Sequence, residues 1–140
     1  MDQKEFDLDT FDTIAGAQRG YELELRDPST DLPCGRFISI LGADSDAYRE
    51  CMREIQRRRT ERMNRSRRFL ATPEELESDA LDLLASATTG WRGLAYRDGT
   101  PVPFSAAAAR DLYRGFPAIR DQVDQAVGDR ALFLPKSASA

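Results

Sequence analysis

The sequence predicts an α+β fold, mostly α, in which an N-terminal β-hairpin packs on a small bundle of about four helices. Three observations point there. Residues 21–26, YELELR, alternate Tyr21, Leu23 and Leu25 with Glu22, Glu24 and Arg26, the period of a strand buried on one face. Thr72, Pro73 and Glu75 stand where an N-cap, a first helical residue and the closing carboxylate of a capping box belong. Ile119, Val123 and Val127 recur at i, i+4 and i+8, which lines one face of a helix.

The elements follow in chain order. Residues 1–9 are polar and read as a flexible N-terminus, outside a domain spanning 10–134. Thr10 is the expected N-cap of a short helix with Phe11, Ile14 and Ala15 on one side and Gly20 as its stop. The hairpin covers about 21–41: DPSTDLPCG supplies the turn, and the run RFISILG, apolar on both faces, the partner strand. A two-stranded hairpin is marginal alone, so it must pack on the helices that follow. The first of these spans about 44–66, with Asp44 or Ser45 as N-cap and Ala47, Tyr48, Cys51, Met52 and Ile55 as its apolar stripe. After Ile55 only Met63 continues that stripe.

The next helix, about 73–89, carries Leu76, Ala80, Leu83, Leu84 and Ala87 on one face and ends at Gly90. Trp91, Leu94 and Tyr96 lead into the turn RDGTPVPF. Ser105 caps a helix over 105–115 carrying Leu112 and Phe116, and Pro117 starts another over 117–127 that Gly128 stops. ALFLPKSASA closes the chain as a tail, with residues 135–140 beyond the domain.

Composition narrows the function classes. With 41% hydrophobic and 31% charged residues in 140, the chain has the make-up of one soluble folded domain. No run approaches the roughly 20 apolar residues of a membrane helix, and MDQKEFDLDTFD lacks the order of a signal peptide, so the expected compartment is the cytoplasm. The sequence holds no histidine, which excludes Ser-His-Asp and Cys-His chemistry within this chain. Cys34, in the expected turn, and Cys51, on a helix, form no CxxC pair and read as reduced thiols. LGAD and TTGWRG match no phosphate-binding loop. Asp44, Asp46 and Glu50 read as helix capping rather than metal ligands, and Asp79 with Asp82, like Asp121 with Asp124, as solvated acids on helix surfaces. No catalytic residue, cofactor or metal is therefore expected.

One segment stands out. Residues 44–70 hold 9 basic and 5 acidic residues in a chain of net charge −4. Three readings compete for this cluster: a solvated helix with internal ion pairs, a surface for an acidic protein partner, and a nucleic-acid site. The last is the weakest, because the arginine run 53–69 holds no lysine and no aromatic before Phe69 and the chain is acidic overall. Candidate partner-binding residues are Arg53, Arg57, Arg58, Arg62, Arg65 and Arg68, together with Trp91, Leu94 and Phe104. Trp91 reads first as core and second as a contact.

The order GYELELRDPSTDLPCGRFISILGADSDAYRE, then TTGWRGL, then DGTPVPFSAAAARDLYRGFPAIRDQVDQAVGDRALFL resembles the tail assembly chaperones of long-tailed (siphovirus-like) bacteriophages. The resemblance lies in Gly42, Asp44 and Ser45 at a helix start, Trp91, Gly93 and Leu94, the turn Pro101 to Ser105, Arg120 to Val123, and Phe133 with Leu134. It covers roughly residues 10–134 as many weak matches rather than one diagnostic motif. What it implies is a non-enzymatic protein of the bacterial host cytoplasm that binds and solubilises the tape measure protein. Such a protein promotes tail tube assembly and is absent from the virion. Implied partners are the tape measure protein, the major tail tube protein and a longer, frameshifted form of the chain; self-association is left open. The alternatives are a small tail or neck protein retained in the virion and, behind it, a nucleic-acid-binding regulator using the arginine-rich helix.

Overall fold

The computed structural model describes residues 8–67 and 70–135, so the expectations for residues 1–7, 136–140 and Arg68 fall outside the described residues. The fold is mixed α+β, 56% helical and 17% strand. Its elements are α1 (Thr13–Arg19), β1 (Tyr21–Arg26), β2 (Pro33–Ile40), α2 (Asp46–Ser66), α3 (Pro73–Ser86), β3 (Thr88–Arg92), α4 (Ala106–Gly115) and α5 (Pro117–Val127). Short 3-10 turns at Leu8–Phe11 and Arg130–Phe133 flank them.

Local signals place most boundaries. Thr72 and Glu75 complete the capping box of α3, Ser105 accepts from Ala108 N to start α4, and Pro117 opens α5. Ser45 rather than Asp44 caps α2, accepting from Tyr48 N. The hairpin pairs Tyr21 with Ile40 and Leu23 with Ile38, then bulges between Glu24 and Arg26. Its loop is tied by Asp27, whose carboxylate accepts from the backbone and hydroxyl of Ser29 at 2.8 and 2.6 Å, the side-chain turn chemistry that aspartate favours. Cys34 lies in β2, not in the turn, and both thiols are free.

Residues 87–92 depart from expectation. Instead of extending α3 to 89, the chain leaves the helix at Ser86 and forms β3, antiparallel to β2, giving a sheet of order β1-β2-β3. Two bonds divert it. Leu41 N donates to Ala87 O at 2.7 Å, drawing the backbone to the sheet. The Thr88 hydroxyl donates to Leu84 O at 2.7 Å, satisfying a carbonyl the helix end would leave orphaned. Trp91 then pairs with Ile38 across the sheet.

The ends also differ. Thr10 sits inside the 3-10 turn, and Asp12 caps α1 by accepting from Ala15 N at 3.2 Å. The buried face of α1 is Gly16 and Ala17, whereas Phe11, Ile14 and Ala15 are exposed. The reason is a close approach: a Cβ on Gly16 would stand 2.3 Å from Phe133 O, so only glycine admits the closing turn there. That turn is no tail. Phe133 is buried between α1 and the sheet end, edge-on to Tyr21 at 6.4 Å, and Arg130 grips Asp44 through two bonds of 2.7 and 3.1 Å.

The core lies between the inner face of the sheet and α3, α4 and α5, centred on Ile38, Ile40, Leu81, Tyr113 and Val123. Tyr113 carries the core's polar connection. Since the Thr88 proton goes to Leu84 O, the Tyr113 hydroxyl donates to Thr88 Oγ1, 2.7 Å away. Burial pushes its pKa up to about 12. Among the described residues no helix is long and apolar enough to cross a membrane.

Candidate functional site

The arginine cluster faces α3. Beyond Ile55, the one buried residue of α2, the inward positions are held by Arg58, Arg59 and Arg62 where a core helix would carry apolar side chains. Opposite them α3 presents Glu75, Asp79 and Asp82, spaced i, i+4 and i+7 on one face. Arg58 Nη2 lies 2.9 Å from Asp82 and 3.7 Å from Asp79, and Arg59 Nε donates to Asp79 at 3.0 Å. Arg62 reaches Glu75 at 2.6 Å and Asp79 at 3.6 Å. Arg110 of α4 joins through Asp82 and the carbonyl of Ser78.

Asp79, expected as a solvated acid, is therefore the hub of this bolt, with its side chain only 5% exposed. Burying a lone carboxylate is costly, and three guanidiniums are what make the position tolerable. The Asp82 hydrogen bond raises the Arg58 pKa further, so that pairing is held as an ion pair. Arg59 was missing from the expected set, and the i, i+4, i+7 spacing of the α3 carboxylates is the signal that could have found it.

The other predicted arginines lie elsewhere. Arg57 is paired within its own helix, to Glu54 at 2.5 Å and Glu61 at 2.7 Å. Arg53 and Arg65 are exposed on α2 and have no carboxylate within ion-pair distance among the described residues. Arg68 lies outside them.

Trp91, Leu94 and Phe104 surround a different feature. Trp91 is half-buried, its Nε1 donating to Val102 O at 2.8 Å and its ring meeting Phe104 edge-on at 5.0 Å. This pair clamps the segment after β3 back on itself. Leu94 is buried and belongs to the core. Beside this clamp runs an open groove of about 540 Å³ with Leu94, Tyr96, Val102, Leu112, Phe116 and Ile119 among its lining residues. Tyr96 and Phe116 are 55% and 57% exposed, unusual for aromatics and adjacent to partly buried Leu112 and Ile119. Arg36, Arg97 and Asp111 form its polar fringe. None of the α2 arginines lines it, and of Trp91, Leu94 and Phe104 only Leu94 does, so most of the predicted site lies off this groove.

Apolar surface edged by charge is the general make-up of surfaces that other molecules cover. Among the described residues no group of three metal-ligating side chains gathers. No protein family, curated protein or solved structure matches the chain.

Proposed function

We propose that this chain is a tail assembly chaperone of a long-tailed bacteriophage. In this reading it holds the tape measure protein in solution in the host cytoplasm, promotes assembly of tail tube subunits around it and is absent from the finished particle. The observation that carries the reading is the open apolar groove with its two exposed aromatics. A long helical client exposes apolar stripes that must be covered until assembly, and a trough with charged edges covers them reversibly. The order of segments along the sequence supports the same reading through its resemblance.

The arginine cluster takes a narrower part than its density implies. Arg58, Arg59 and Arg62 fasten α2 to α3, leaving Arg53 and Arg65 as the predicted cluster members open to an acidic client. The same engagement weakens the nucleic-acid reading, since cations already facing carboxylates neutralise few phosphates.

Co-expression with the tape measure protein, affinity capture and a count of soluble client tests the proposal. The expected result is co-purification with a gain in soluble client. A client that stays insoluble beside a folded, unbound chain removes the reading, and mass spectrometric detection of the chain in purified particles favours a retained tail component instead.

A further inference from the structure

We infer that the groove between the segment after β3 and the α4–α5 corner takes an amphipathic helix whose apolar stripe is flanked by carboxylates. The inference deepens the client-binding reading and rests on it.

Backbone accounting selects a helix over an extended strand. Tyr96 N donates to Thr100 O at 2.8 Å, Gly99 N to Tyr96 O at 2.9 Å and Val102 N to Leu94 O at 3.0 Å, and Ala95 bridges Pro101. On the opposite wall Phe116 N and Ile119 N are bonded to Leu112 O and Phe116 O. Among the described residues the walls thus leave only the Ala95 and Arg97 amides unbonded, an edge too short for an added strand to pair along the groove. An extended occupant would leave its own amides unbonded over an apolar floor, whereas a helix satisfies them internally.

Charge selects the flanks. Arg36 and Arg97 stand on the groove's edge, and among the described residues neither has a carboxylate within ion-pair distance. Among the described residues the Arg36 guanidinium has one hydrogen bond, to the carbonyl of Cys34 at 3.3 Å, and the carboxylate that feels its charge, Asp27, does not line the groove. The acid on the edge, Asp111, already has Arg114 at 3.2 Å. The rim therefore presents unmatched positive charge beside exposed aromatic surface, and complementarity asks for glutamates or aspartates next to the occupant's apolar stripe.

The test uses the full chain and three labelled synthetic helices of about 18 residues, long enough for five turns. All carry leucines at i, i+4, i+7 and i+11. One is flanked by glutamates, one by lysines, and one has glutamates and a central Pro-Pro. In fluorescence anisotropy at about 0.15 M salt, the glutamate helix is expected to bind about tenfold or more tighter than the lysine helix, with no binding of the proline version. Phe116→Ala weakens binding about tenfold and Arg97→Glu reverses the charge preference. Both side chains are exposed, so an unchanged melting midpoint accompanies each.

Equal affinity for the glutamate and lysine helices, or binding indifferent to Phe116→Ala, overturns the inference. So does a dimer in sedimentation velocity that Phe116→Asp dissociates, because the groove would then belong to a second copy. Should the acidic helix bind while the tape measure protein stays insoluble, the chaperone reading falls and the groove assignment stands. Soluble client without helix discrimination removes the groove assignment alone.

Discussion

Replacing Asp79 by alanine removes the hub of the bolt between α2 and α3. Its carboxylate is 5% exposed and faces Arg59 at 3.0 Å, Arg62 at 3.6 Å and Arg58 at 3.7 Å. Breaking a fully buried ion pair costs about 3–5 kcal/mol, because the surviving charge is stranded. Here Arg58 keeps Asp82, Arg62 keeps Glu75, and the three side chains are 31–42% exposed, so the loss is discounted to about 2 kcal/mol. For a chain of 140 residues, with an unfolding entropy of about 2 cal/mol/K per residue, that lowers the melting midpoint by about 7 °C.

Thermal unfolding followed by circular dichroism measures the loss, with Glu54→Ala as control. Glu54 pairs with Arg57 at the surface, each partner half exposed or more, and its removal is expected to leave the midpoint in place. The loss should also be local. Past Ile55 no residue of α2 is buried, so amide protection over 57–66 should collapse in Asp79→Ala while β2 keeps its own. A midpoint shift below about 2 °C, or protection lost evenly across the molecule, would refute the claim that the carboxylates of α3 anchor this half of the helix.

Other consequences are open to measurement. Acid should destabilise the protein through Asp44, whose carboxyl is held below the usual range by the Arg130 guanidinium and then by a Thr13 hydrogen bond. A depressed folded pKa means stability fully present above about pH 4 and lost as pH falls through the folded value, so Asp44→Asn should flatten the fall in melting midpoint there. Thr88→Val strands the buried Tyr113 hydroxyl and is expected to cost about 1–3 kcal/mol, whereas Tyr113→Phe removes only a donor and costs less, about 0.5–1.5 kcal/mol, by urea titration. Gly16→Ala drives a methyl into Phe133 O and should cost about 1–3 kcal/mol by the same titration.

Features set by neighbours in sequence were legible in it. The hairpin, the capping box at Thr72, the Ser105 cap and the Pro117 start each depend on a few adjacent residues, and they stand where the pattern puts them. β3 was not legible, because Thr88 to Arg92 become a strand through pairing with Phe37 to Ile40, some fifty positions earlier. Tertiary contact likewise hid the packing of α1, where glycine and alanine are buried and the larger Phe11 and Ile14 are not. The arginines show the limit most clearly. Arg58 and Arg62 continue the spacing of Ile55, and Glu75, Asp79 and Asp82 share a face of α3, yet neither helix alone says that the two stripes meet. The groove was visible only as fragments: Leu112, Phe116 and Ile119 looked like ordinary helix faces, and Tyr96 like the approach to a turn.

The central claim is that the apolar groove holds the tape measure protein, and the most direct test measures soluble client captured by the wild-type chain and by Tyr96→Asp/Phe116→Asp. Both positions are exposed, so the variant should fold and melt like the parent. The account predicts that it captures little client and leaves the rest insoluble. A folded variant that retains as much soluble client as the wild-type chain would contradict it.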